Sequence, residues 1–261
     1  MKKADVIQKV SRPFSSVTVR FLSFGIAYAN NRTMPKERMI TTMSKKSKAH
    51  FIFAAALFLL FVLFTVLVST VDVKPIGPEG STVGLASVNQ FVFSQLGFHP
   101  VWYTITDWLG VIPILFAAGF AAAGFCQLLT RKSIRKVDSS LLILGGFYLL
   151  VFAFYLFFER VVINYRPVML GNTLEVSYPS SHTMLALCIM ATAAMQLRTL
   201  CPDKRKLCLG MDLFSAFHII ITVVGRLISG VHWFTDIIGG LLLSAALVSL
   251  YRAVMEFNGR F

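Results

Sequence analysis

From residue 51 onward, long apolar runs alternate with short polar stretches, and the runs set the architecture. Phe51 to Val71 contains no charged residue. At 1.5 Å per residue, a helix of that length crosses a hydrocarbon core of roughly 30 Å. A second run, Trp108 to Leu129, is rich in small residues from Ala117 to Gly124, as closely packed membrane helices tend to be. Four more follow: Leu141 to Phe158, Thr183 to Leu197, Leu213 to Ile228 and Ile237 to Met255. Six spans predict an all-α integral membrane protein with both termini on the same side. In the first connection, Leu85, Val88, Phe91, Val92 and Leu96 recur at helical spacing. That pattern predicts an amphipathic helix, either lying on the outer leaflet or capping the bundle.

The spans divide the chain into a basic tail, residues 1–49, and a six-helix membrane domain, residues 50–261. The tail opens Met-Lys-Lys but no uninterrupted apolar core follows, so a secretory signal peptide is not expected. Within it, Phe14 to Ala29 is mildly apolar with Arg20 inside, as an interfacial segment would be. Composition agrees with the membrane assignment: 56% hydrophobic residues and 14% charged, with a mean hydropathy of +0.71. Four cysteines, Cys126, Cys188, Cys201 and Cys208, make no metal-binding pattern and are expected to be free thiols.

The net charge of +13 matters through its placement. Eleven of the 25 Lys and Arg residues precede Phe51. With that tail inside, Arg131, Lys132, Arg135, Lys136, Arg198, Lys204, Arg205, Lys206, Arg252 and Arg260 are inside too. The outer segments keep only Lys74, Arg160, Arg166 and Arg226. The asymmetry orients the chain with cytoplasmic termini, and it assigns the basic tail to topology and anionic lipid. No nucleic-acid recognition motif accompanies the charge, and no nucleic acid is expected as a partner.

Three of those outer arginines lie beside unusual chemistry. Residues 225–236 read Gly-Arg-Leu-Ile-Ser-Gly-Val-His-Trp-Phe-Thr-Asp. His232 and Asp236 are four apart, so on a helix they share one face, where the carboxylate fixes the imidazole tautomer. The other ring nitrogen is then free as a nucleophile or base. Arg226 supplies a fork of donors for an anion. Upstream come Glu-Arg-Val-Val-Ile-Asn-Tyr-Arg-Pro (159–167) and Tyr-Pro-Ser-Ser-His (178–182). Ser180 and Ser181 are natural N-caps of the fourth span, with His182 in or beside its first turn. Two helix N-termini and two or three arginines converging on one point describe a phosphate pocket without metal. Glu175 is expected as an exposed loop carboxylate and Asp107 as an interfacial residue, and His218 as a packed histidine.

The three segments resemble the signature of the type 2 phosphatidic acid phosphatase superfamily, its membrane lipid phosphatase branch in particular. That signature runs Lys, six residues, Arg-Pro; then Pro-Ser-Gly-His; then Ser-Arg, five residues, His, three residues, Asp. It is met here by Arg166-Pro167, by Pro179 to His182, and by Arg226, His232 and Asp236. Three positions depart. Glu159 occupies the lysine position with Arg160 beside it, Ser181 replaces glycine, and Gly225 replaces serine.

The resemblance implies that His232 attacks phosphorus, Asp236 orients it, and His182 protonates the leaving group. Arg160, Arg166, Arg226 and the N–H groups at Ser180 and Ser181 would hold the phosphate. The expected activity is metal-independent hydrolysis of a lipid phosphate or isoprenoid diphosphate at the outer leaflet through a phosphohistidine. No cofactor is expected, the lipid bilayer is the partner, and the oligomeric state stays open. A lipid phosphotransferase on the same scaffold, and an inactive transporter or membrane partner protein, remain as alternatives.

Overall fold

The computed structural model describes residues 45–260. The tail segment Phe14 to Ala29 lies outside the described residues. Eight helices follow in order: α1 Lys45–Thr70, α2 Ala86–Leu96, α3 Pro100–Leu109, α4 Val111–Arg131, α5 Ser139–Arg160, α6 Ser181–Leu200, α7 Arg205–Ile228 and α8 Phe234–Phe257. Isolated bridges at Lys74–Val83 and Tyr165–Val176 are the extended pairings among the described residues. Six helical segments are long and apolar enough to cross a membrane, with α3 and α4 together forming the second.

Two span boundaries differ from the sequence expectation. The second span is already helical from Pro100, eight residues before Trp108, and it breaks at Gly110 between α3 and α4. Pro100 suits a first helical position because its fixed φ is already helical. Gly110 marks a close approach, since a Cβ there would lie 2.9 Å from Cδ2 of His182. The fifth span starts at Arg205 instead of Leu213. Its first two turns carry Arg205, Lys206 and Asp212, which an apolar window discards. Asp212 pairs with Arg198 across the connection.

α6 and α8 form the centre. Of their most apolar windows 56% and 50% is buried, against 6% for the second span. α1 packs along α8, and Phe61, Val68, Phe147, Val151, Leu243 and Tyr251 belong to the core where α1, α5, α6 and α8 meet. Large apolar side chains such as Ile52, Leu63, Leu115, Phe217 and Ile220 point outward, the pattern of helices facing lipid. All four cysteines are free, and Cys188, Cys201 and Cys208 are buried.

At one end of the bundle the starts of α6 and α8 are tied together. Ser180 caps α6, its Oγ accepting from Thr183 N at 3.5 Å, and its own N–H donates to the Asp236 carbonyl at 3.0 Å. α2 is fastened over this junction by one buried side chain. Asn89 Nδ2 donates to the Gly84 carbonyl at 2.8 Å and to Thr235 Oγ1 at 2.9 Å, while its Oδ1 accepts from Thr235 N at 3.1 Å. The amphipathic helix therefore caps the bundle with one side, and on the other it exposes Val88 and Phe91.

Candidate active site

The charged residues at this end gather around α3 and the start of α6. His182 lies in the first turn of α6, and Arg226 in the last turn of α7, where the helix dipole favours a cation. Arg226 is fully buried, so its guanidinium needs partners. Its Nη1 donates to Thr106 Oγ1 at 3.3 Å, and its Nη2 lies 2.7 Å from His182 Nε2 and 3.5 Å from Asp107 Oδ1. The Tyr103 ring stacks under it, 5.4 Å from Cζ to centroid. Asp107 Oδ1 is 3.3 Å from His182 Nε2. Side-chain exposure rises across the group, from 1% at Arg226 to 22% at His182 and 54% at Asp107.

His232 is not on a helix. It lies in the turn after α7, two residues before α8 begins, so the shared helical face expected for His232 and Asp236 is not how they meet. Asp236 is the third residue of α8 and first of all caps it. Its Oδ2 accepts from Trp233 N at 2.9 Å and its Oδ1 from Asn164 Nδ2 at 3.1 Å. The capping turn folds the chain back, leaving His232 Nδ1 3.6 Å from Asp236 Oδ2, near but outside hydrogen-bond length. The His232 side chain is 1% exposed. Neither ring nitrogen has a partner of hydrogen-bonding geometry, although the Ser177 backbone lies nearby. Burial, then the charges of Arg166 and Arg226, hold this imidazole well below its ordinary value of 6.5 and therefore neutral at ordinary pH.

Arg166 approaches from the α5–α6 connection. Its Nη1 donates to the Val231 carbonyl at 3.3 Å, and its Nε is 2.9 Å from Glu175 Oε2. Glu175 is thus the ion-pair partner of Arg166 as well as an exposed loop carboxylate. Ser181 is the first residue of α6 and is helical, so its replacing a glycine carries no positive-φ strain. Glu159 and Arg160 end α5, both exposed. No hydrogen bond or ion pair described for Arg160 joins it to the cluster.

Gly225 has a steric reason. A Cβ there would sit 2.5 Å from Thr106 Cγ2 and 3.2 Å from Trp102, because α3 crosses α7 at this point. The same Thr106 presents its hydroxyl to Arg226, beside the position where the signature has serine. We expect Gly225→Ser to destabilise the protein by about 1–3 kcal/mol through overpacking. Adding Thr106→Ser, which removes the clashing methyl and keeps the hydroxyl, should return most of that loss in thermal unfolding of the detergent-solubilised protein. Equal stability of Gly225→Ser and wild type would contradict this packing.

Three side chains at the site were not singled out from the sequence, Tyr103 and Thr106 of α3 and Asn164, while a fourth, Asp107 of α3, was expected only as an interfacial residue. Asp107 carried a usable signal, being an ionisable residue at the lip of an apolar run. Asn164 stands two residues before Arg166, but nothing local shows that it reaches Asp236. Among the described residues, no group of three or more His, Cys, Asp and Glu side chains is placed to hold a metal ion.

The family model of the PAP2 superfamily matches residues 164–260, which contain Arg166, His182, Arg226, His232 and Asp236. That stretch of the chain is similar to the PAP2 superfamily. The chain's fold is similar to the crystal structure of a transmembrane PAP2-type phosphatidylglycerolphosphate phosphatase from Bacillus subtilis. That likeness has a TM-score of 0.52 at 22% identity, covering 78% of this chain and 96% of the other. No curated protein matched the chain in the corresponding search.

Proposed function

We propose that the protein is a membrane phosphatase that hydrolyses a lipid phosphate or an isoprenoid diphosphate through a phosphohistidine on His232. One observation carries this reading: His232 is a buried, neutral imidazole with no hydrogen-bond partner at either nitrogen, near two arginines. A buried polar group left unsatisfied in a folded protein requires a reason, and the substrate phosphate of the proposed reaction would engage it. Arg166, Arg226 and the N–H group at Ser181 would hold the phosphoryl oxygens, whereas the N–H of Ser180, expected from the sequence to join them, is already given to the Asp236 carbonyl. Asp236 would orient His232, and His182 would give its proton to the departing oxygen and then accept one from water. Such fixed donors in a dry site supply most of the stabilisation in phosphoryl transfer. Arg160 belongs to this proposal as a second-rank residue at the entrance, where its charge draws phosphate inward.

The reading is tested by phosphate release from a panel of lipid mono- and diphosphates in detergent micelles, with and without chelator. Release that persists in chelator is expected. Activity abolished by chelator and restored by Mg²⁺ or Zn²⁺ would sink the metal-free mechanism. Transfer to an added alcohol in place of water would make the protein a phosphotransferase.

We also propose that the site faces outward and the termini inward, on the placement of basic residues. Single cysteines at Thr173 and Asp203, in a background without native cysteine, should then differ. An impermeant thiol reagent on intact cells is expected to label Thr173→Cys alone. Labelling of Asp203→Cys alone would invert the protein.

A further inference from the structure

α3 lies outside the stretch that matches the family, yet it contributes most of the contacts around Arg226 and His182. Tyr103, Thr106 and Asp107 are spaced three and four apart, so they project from one side of the helix toward α7 and α6. Two glycines let α3 come this close: Gly225 against Thr106 and Trp102, and Gly110 against the His182 ring. Of the three side chains, Asp107 alone is anionic.

The charged and titratable groups facing His182 are Arg226 from α7, Arg166 from the α5–α6 connection, the neutral His232 from the α7–α8 turn, and Asp107 from α3. Two guanidiniums suit a phosphate, but they oppose the positive charge that an imidazole must carry to act as an acid. Asp107 is the carboxylate within reach, 3.3 Å from Nε2, and it also lies 3.5 Å from Arg226.

We propose that Asp107 is a positioning residue for His182: it holds the imidazolium with one N–H aimed at the departing oxygen while keeping Arg226 turned toward the same point. This rests on the phosphatase reading above. In the step concerned, a His232 nitrogen forms a bond to phosphorus as the bond from phosphorus to the ester oxygen breaks. The bonding pair leaves with that oxygen, which takes the proton from His182 and departs as a neutral alcohol. Water then attacks the phosphohistidine, gives one proton to His182, and frees inorganic phosphate. Asp107 touches neither phosphorus nor the leaving oxygen, and it acts through His182.

The need for an acid depends on the leaving group. An alkoxide is a poor leaving group and requires the proton, whereas 4-nitrophenolate leaves unaided. The test compares a long-chain alkyl phosphate with 4-nitrophenyl phosphate, using kcat/KM because it reports steps up to formation of the phosphoenzyme. We expect Asp107→Asn to lower kcat/KM on the alkyl ester roughly 10- to 100-fold, within the range of general acid catalysis. On 4-nitrophenyl phosphate the loss should stay below about threefold. Asp107→Glu should recover part of the alkyl activity, since it restores the charge. Thermal unfolding of each variant shows whether the fold survives.

Equal losses on both esters would overturn the proposal, because Asp107 would then serve only Arg226 or the fold. No loss on either, with wild-type protein active, would overturn it and leave the phosphatase reading intact. Wild-type protein inactive on every phosphate ester would remove both.

Discussion

His232→Ala is expected to reduce phosphate release by about four orders of magnitude or more while leaving the protein at least as stable as wild type. Loss of the nucleophile in a covalent mechanism is rarely compensated by the remaining groups. The stability side is less usual for a buried residue. Removing a buried polar side chain ordinarily breaks its hydrogen bonds, but this imidazole has none of full geometry, only an approach to the Ser177 backbone. What disappears is a desolvated ring beside two guanidiniums, and a site kept strained for activity often gains stability when disarmed. Acid conditions should reveal the same tension in the wild type. The unfolded chain takes up a proton at His232 near pH 6.5, whereas the folded one resists it. This group's contribution to stability is therefore lost as pH falls through that value. Brief incubation with radiolabelled substrate and an alkaline quench should trap label on the wild type and none on His232→Ala. Label on both would assign the covalent step to another residue.

The second large effect belongs to Arg226. Its guanidinium is held by Thr106, Asp107 and the Tyr103 ring, so its direction is set before any phosphate arrives. Arg226→Ala should cost roughly 10²- to 10³-fold in kcat/KM, the scale of one preorganised donor. Arg226→Lys should recover little. An ammonium cannot reach Thr106 and Asp107 together or stack flat on Tyr103, although it restores the charge. By contrast, Arg160→Ala should cost about tenfold or less, as fits an exposed side chain with only long-range attraction to offer. Kinetics of the three variants on one substrate rank them. A lysine variant with wild-type kinetics would mean that charge alone matters at position 226.

The number of spans and the five family-matched residues could be read from the sequence because both signals are local. Apolar length marks a span, and the fixed spacing from Arg226 to His232 to Asp236 marks a site. The spacing did not reveal its own geometry. Residues four apart meet on a helix, and they also come close where a turn runs into a capped helix, as His232 and Asp236 do. The contribution of α3 was hidden for another reason. Thr106 and Arg226 are 120 positions apart, as are Asp107 and Arg226 to within one, and only the packing of α3 on α7 joins them. Asn89 is similar. It is one of five polar residues along α2, with Gln90 beside it, and its partner Thr235 lies 146 positions away.

The gradient of exposure across the cluster has a directional consequence. His232 and Asp236 sit at the closed back, roofed by α2 through Asn89, while His182 and then Asp107 stand progressively nearer the opening. A displacement in line needs its attacking and departing atoms on opposite sides of phosphorus. On the proposed mechanism, with His232 as the nucleophile at the back, the ester oxygen would face the more exposed side, and an alkyl chain would not have to enter the interior. The tail of a lipid substrate would stay in the bilayer throughout, and the alcohol product would depart first by the way it came. Phosphate, in that scheme still bonded to His232 behind it, would leave only after water had entered the vacated front.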